Sequence, residues 1–206
     1  MYVAVIDYGL GNVQSVIGAI EKLGFDAVLT NDHERLTQSD ILILPGVGAF
    51  GDGMKHLEKN NLIDILNKLV LVDKKPILGI CLGMHLFATK GYEFGEYKGL
   101  GWIEASVQKF EIPVEFKLPH VGWNDISILR DSELFSKIEE KLFYFVHSYH
   151  FVPKNEKVIL ATCNYGIPFV ASVNQANIYG TQFHPEKSQK EGLLVLKNFL
   201  KKYDNA

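Results

Sequence analysis

Gly79-Ile80-Cys81-Leu82-Gly83 sets a thiol between two glycines, after a short apolar run and before an amphipathic one. This is the spacing of a nucleophile elbow, G-x-nucleophile-x-G, with cysteine in the serine position. A tight strand-to-helix turn brings backbones together and leaves no room for side chains at the flanking positions. At a helix start the thiol meets the positive end of the dipole, which favours the reactive thiolate. A small cysteine buried behind a strand is the plain alternative.

A thiol nucleophile needs a base that removes its proton and returns it to the leaving group. Of seven histidines, His184 in Gln182-Phe183-His184-Pro185-Glu186 stands out, at the end of the apolar run of residues 178–182. Open α/β sheets carry their sites at such strand ends. Glu186, two positions on, can fix the imidazole tautomer and stabilise the imidazolium. Taken alone, the same stretch reads equally as a surface turn of proline and charge. Acyl transfer also needs donors for the developing oxyanion. Pro45-Gly46-Val47-Gly48 follows another apolar run and offers the N–H groups of Val47 and Gly48, with the Leu82 amide as a further donor. Its alternative is a glycine loop that only links a strand to a helix. Glycines let a peptide rotate, so the Val47 N–H can point toward the oxyanion or away from it.

Other chemistries fit less well. His147 and His150 stand three apart in an expected strand, which puts them on opposite faces, and no acidic pair flanks them. No metal and no cofactor are expected. Gly9-Leu10-Gly11 lacks the third glycine of a dinucleotide fingerprint. Cys163 has no histidine or basic neighbour and reads as a core thiol; two distant cysteines without a CxxC exclude a disulfide framework or zinc-thiolate site. With 206 residues, 47% hydrophobic and 22% charged, the chain can build a core. A net charge of −3, with Arg35 and Arg130 the only arginines, offers no basic stripe for nucleic acid. Apolar runs fall short of a membrane span, and residues 2–6 lack a basic leader, so a cytoplasmic protein is expected.

These groups need a scaffold. Apolar runs at residues 2–6, 27–29, 41–44 and 77–80 read as strands. They alternate with helical patterns from Val13 to Leu23 (stopped by Gly24), from Leu57 to Leu69, and from Leu82 to about Ala88. Uniformly apolar strands between helices predict a parallel sheet covered on both faces. In the second half, strand-like runs at 142–146, 158–163, 169–173 and 178–182 lie close together, which favours antiparallel pairing, and a final helix spans about 190–202. The expectation is one α/β domain over 1–206: a mostly parallel central sheet flanked by helices, with additional antiparallel strands.

The motifs resemble a known family. The Cys81 elbow and the His184-Pro185-Glu186 stretch are similar to those of class I, triad-type glutamine amidotransferases. Pro119-His120-Val121-Gly122-Trp123-Asn124 and Tyr144-Phe145-Val146-His147-Ser148-Tyr149 most resemble the glutaminase subunits of imidazole glycerol phosphate synthases. The resemblance runs nearly end to end. It implies that Cys81 attacks the side-chain carbonyl of glutamine to form a γ-glutamyl thioester, with His184 and Glu186 completing the triad. It also implies an oxyanion hole at Val47, Gly48 and Leu82, and substrate contacts from Glu93, Ser148 and Tyr149. The implied partner is a (βα)8-barrel synthase that receives the ammonia, faced by Asn12, His120, Trp123, Asn124, Tyr144 and Lys187. A paralogue feeding ammonia to the amidation of a surface sugar is the alternative pathway; a non-catalytic module or a cysteine peptidase is the alternative class. The family has glutamine where this chain has His85. An imidazole offers a donor or an acceptor from one end, not both, so substrate binding there is expected to change.

Overall fold

The computed structural model describes residues 1–204. Strand β1 (Tyr2–Ile6) leads to helix α1 (Val13–Lys22), β2 (Asp26–Thr30), α2 (His33–Gln38) and β3 (Ile41–Leu44). Helices α3 (Phe50–Lys59) and α4 (Leu62–Asn67) precede β4 (Ile77–Ile80) and the short α5 (Leu82–His85). Then come β5 (Ala88–Gly91), β6 (Tyr97–Lys98), β7 (Ile103–Lys109), β8 (His120–Ile128), β9 (Leu142–His147) and β10 (Tyr149–Pro153). Strands β11 (Ile159–Tyr165), β12 (Ile167–Gln175) and β13 (Ile178–Thr181) and helix α6 (Gln189–Lys202) complete the chain.

Nine strands form one sheet in the order β2-β1-β3-β4-β13-β12-β11-β8-β9. From β2 to β13 all pairs are parallel; from β13 onward all are antiparallel. The parallel strands are apolar throughout because both faces are covered. Val3, Val5, Ile41, Ile43, Leu78 and Ile80 share a core with α1 and α6. Their alternates Ala4, Ile6, Leu42, Leu44 and Ile77 share the opposite core with α2, α3, α4 and a second sheet. That second sheet runs β10-β7-β5-β6, with β5 parallel to β7. Among the described residues no helix is long and apolar enough to cross a membrane.

Several expectations need correction. The helix from Leu57 through Leu69 is broken at Asn60-Asn61, where Asn61 takes a left-handed φ of 56°, and helix already begins at Phe50. Asparagine tolerates that conformation, so one apolar stripe is carried by two helices. The helix expected to reach Ala88 stops at His85. The carbonyls of Leu86, Phe87 and Ala88 accept instead from Leu100, Ile103 and Gly101, which draws this stretch into the second sheet. Helix α2 and the long β8 carried no clear local signal. His147 and His150 do not sit in one strand: the chain leaves the large sheet at His147 and enters the small one at Tyr149. Both imidazoles meet the same Phe110 ring, His150 stacked at 4.7 Å and His147 tilted at 5.2 Å, rather than facing opposite ways.

Candidate active site

Strands β4 and β13 are parallel neighbours with Ile80 opposite Thr181. The residues just beyond their ends therefore meet, and this register brings Cys81 beside His184. Cys81 N–H donates to Thr181 O at 2.7 Å, and Cys81 itself holds φ 54° and ψ −109°. A non-glycine residue in that region costs about 1–3 kcal/mol and persists only where its surroundings enforce it. They do so here by close approach. A Cβ on Gly83 would lie 1.8 Å from the carbonyl oxygen of Leu44, and one on Gly79 would lie 2.6 Å from Phe87. The glycines of the elbow are thus required by packing against β3 and against Phe87, which precedes β5, as the spacing implied.

His184 is buried, and its Nδ1 lies 2.8 Å from Glu186 Oε1. In the neutral ring Nδ1–H donates to the carboxylate, which leaves Nε2 as the acceptor for a thiol proton. Nε2 is buried without a hydrogen-bond partner. Burial works against the imidazolium, but the Cys81 sulfur and the Glu186 carboxylate outweigh it and raise the pKa of His184 to about 10. The turn carrying these groups is pinned to β9. His184 N–H donates to Tyr144 O at 2.9 Å; Ser188 Oγ donates to His184 O at 2.6 Å and accepts from Tyr144 N–H at 3.0 Å.

The thiol opens into a cleft of about 290 Å³ lined by Val47, Gly48, Leu82, His85, Glu93, Ser148, Tyr149 and Lys187. The cleft thus collects every residue expected for the oxyanion hole and for substrate. Gly48 has a φ of +99°, a conformation open to glycine. The Val47, Gly48 and Leu82 N–H groups are engaged in none of the loop and turn backbone bonds. Tyr8, not singled out by the sequence, fixes this loop from below: its buried hydroxyl donates to Pro45 O at 2.7 Å. Burial, reinforced by Cys81, raises its pKa and keeps it a phenol. Glu93 accepts from Phe50 N–H at 2.9 Å, and burial raises its pKa against that bond. His85 is buried with its Nε2 2.6 Å from Gln182 Oε1. Gln182 is another residue the sequence reading passed over; the signal was a polar side chain one place short of the base's own turn.

The residues expected to face a partner divide. Asn12 is exposed, Trp123 is 42% exposed, and Trp123 packs edge-on to Tyr144 with centroids 6.1 Å apart. Lys187 Nζ lies 5.9 Å from the Tyr144 ring centroid, so the row from Trp123 through Tyr144 to Lys187 leads into the cleft. Asn124 is half-buried and donates to Asn164 O. His120 does not belong to this surface. It is 3% exposed, stacked on Tyr165 at 4.0 Å, with Nδ1 3.1 Å from His147 Nε2. Its position opposite His147 in the β8–β9 pair turns it inward. Among the described residues no group of three or more His, Cys, Asp or Glu could hold a metal ion.

Residues 4–203 match the family described as Glutamine amidotransferase class-I. A protein of Methanococcus maripaludis named Imidazole glycerol phosphate synthase subunit HisH 2 is 50% identical over 200 residues, 97% of this chain and 98% of its own length. Imidazole glycerol phosphate synthase subunit HisH of Aquifex aeolicus is 47% identical over 204 residues, 98% and 97% of the two chains. Among solved structures, that of PurLQS from Thermotoga maritima covers 98% of both chains with a TM-score of 0.76 at 18% identity, a likeness of fold.

Proposed function

The chain belongs to the class I glutamine amidotransferases, and from that premise we propose that it is the glutaminase subunit of imidazole glycerol phosphate synthase, built as one domain over residues 1–206. The observation that carries the chemistry is the strained Cys81 set beside an imidazole whose far nitrogen is held by a buried carboxylate. The near-full-length identity of 46–50% to subunits of that name carries the pathway.

The geometry supports a two-step hydrolysis. Cys81 Sγ attacks the side-chain carbonyl carbon of glutamine as a thiolate, its proton already held on His184 Nε2. Negative charge moves to the carbonyl oxygen, which the N–H groups of Leu82 and the Val47-Gly48 loop receive. The C–N bond then breaks as His184 returns the proton to nitrogen, and ammonia leaves a γ-glutamyl thioester. Water attacks that thioester with His184 as base, and glutamate departs as the thiol is restored. Glu186 keeps the ring oriented and stabilises its cation in both steps. Glu93, Ser148 and Tyr149 hold the amino-acid end of the substrate. Ammonia passes to a (βα)8-barrel synthase subunit docked over Trp123, Tyr144, Lys187 and Asn12. A nucleophilic thiol works where it stays reduced, which supports a cytoplasmic site of action.

The test measures glutaminase turnover of the chain alone, with the histidine-pathway barrel, and with that barrel and its nucleotide ligand. Turnover is expected to be low alone and to rise at least about 10²-fold in the full complex, the scale of one oxyanion donor brought into place. Stimulation only by a barrel from a sugar-amidating pathway would overturn the pathway assignment.

A further inference from the structure

Two buried polar side chains next to the nucleophile, His85 and Gln182, have no part in the triad. They are joined in series to the sulfur. His85 Nε2 lies 2.6 Å from Gln182 Oε1, and Gln182 Nε2 donates toward Cys81 Sγ at 3.8 Å. An amide oxygen carries no hydrogen, so His85 Nε2 must be the donor. Burial lowers the pKa of His85 to about 4, against the opposing effect of its bond to Gln182, so the ring is neutral and its single proton sits on Nε2. A reversed Gln182 carboxamide would set N–H against N–H at one end and an oxygen lone pair against sulfur at the other.

We infer that His85 is a positioning residue: its Nε2–H tautomer locks the Gln182 carboxamide with the N–H end on Cys81, where it stabilises the thiolate that attacks and is later expelled. This assigns to His85 a task different from direct grip on substrate. Its Nε2 is committed to Gln182, and in this tautomer Nδ1 carries no proton and can only accept. The other titratable groups bearing on the sulfur are His184 and, through the loop, Tyr8. His150 bears on His85 and disfavours its charge, which reinforces the neutral form. The inference rests on Cys81 being the nucleophile.

The experiment has two arms, both on the full chain. Nitrogen-15 NMR of the wild-type imidazoles should find His85 as a neutral Nε2–H ring that does not titrate between about pH 5 and 8. The second arm follows alkylation of Cys81 by iodoacetamide against pH, read by mass spectrometry, in wild type, His85→Gln and Gln182→Leu. Glutamine at 85 keeps a hydrogen bond but accepts either carboxamide direction. Both variants should slow alkylation of Cys81 roughly 3- to 10-fold at neutral pH, the cost of losing one hydrogen bond to the thiolate. His85→Gln should lower kcat by a similar factor. A protonated Nδ1, titration of His85 near its ordinary value, or a wild-type alkylation profile in His85→Gln would each overturn the positioning role. Such a result with glutaminase activity intact leaves the assignment of function standing. Loss of glutaminase activity in the wild-type complex would instead refute that assignment.

Discussion

Replacing Glu186 with glutamine removes one negative charge from the triad with almost no change in volume. The two side chains are 1–2% exposed and 2.8 Å apart, so water cannot replace the lost partner of His184. A hydrogen bond to a charged group contributes about 1.5–3 kcal/mol, and about 1.4 kcal/mol is a factor of ten, so thioester formation should slow roughly 10- to 100-fold. The sign of the pH effect follows from the same contact. The carboxylate helps raise the pKa of His184, so its removal lowers it. The alkaline limb of kcat/KM, where His184 loses the proton it must give to the leaving amine, should therefore move to lower pH. Single-turnover release of ammonia in the complex, measured across pH, reads both quantities. His184→Asn, which removes the base itself, should cost about 10²–10⁴ and serves as the scale. A Glu186→Gln enzyme within twofold of wild type, with its alkaline limb in place, would refute the coupling.

Cys81→Ala should abolish glutamine-dependent synthesis by the complex while sparing synthesis from added ammonium salt; equal loss of both would place Cys81 in the scaffold rather than the chemistry. A glutamine-like electrophile should label Cys81 and leave Cys163 unmodified, because burial pushes the Cys163 thiol up to about 12. Stability should fall on acidification between pH 6.5 and about 4, since His85 and His120 are held neutral by burial while the unfolded chain binds their protons. His85 alone accounts for about 3 kcal/mol by the lower end, and urea midpoints against pH should show the loss. Trp123→Ala should weaken binding of the barrel by about 2 kcal/mol or more, some 30-fold in Kd by calorimetry, as for a central aromatic anchor; an unchanged Kd would remove Trp123 from the docking face.

Much of the site was legible because its signals are local. The two glycines around Cys81 and the carboxylate two places beyond His184 report steric and electrostatic demands that operate within a few residues. The parallel strands were legible for a related reason: burial on both faces leaves no polar position in Ile41–Leu44 or Ile77–Ile80. What escaped depends on partners distant in the chain. The end of α5 is set by residues 100–103 claiming its following carbonyls, and the inward turn of His120 by its pairing with His147. The role of Gln182 required knowing that His85, almost a hundred positions earlier, stands beside it. The break at Asn60-Asn61 was local, yet the apolar stripe continues across it and conceals it.

Strand β13 is the seam between the parallel and antiparallel halves of the large sheet, and it holds Cys81 in place on one flank while carrying the turn of His184 at its end. A chain emerging from the ribosome therefore completes the first four strands and the elbow long before the base exists. Until residues 178–186 arrive and slot between β4 and β12, the sulfur has neither its base nor the Thr181 carbonyl that anchors its backbone. A chain that ends before residue 186 consequently lacks the imidazole–carboxylate pair that lies beside Cys81. The same seam is non-local in sequence, so its closure is among the slower events of folding.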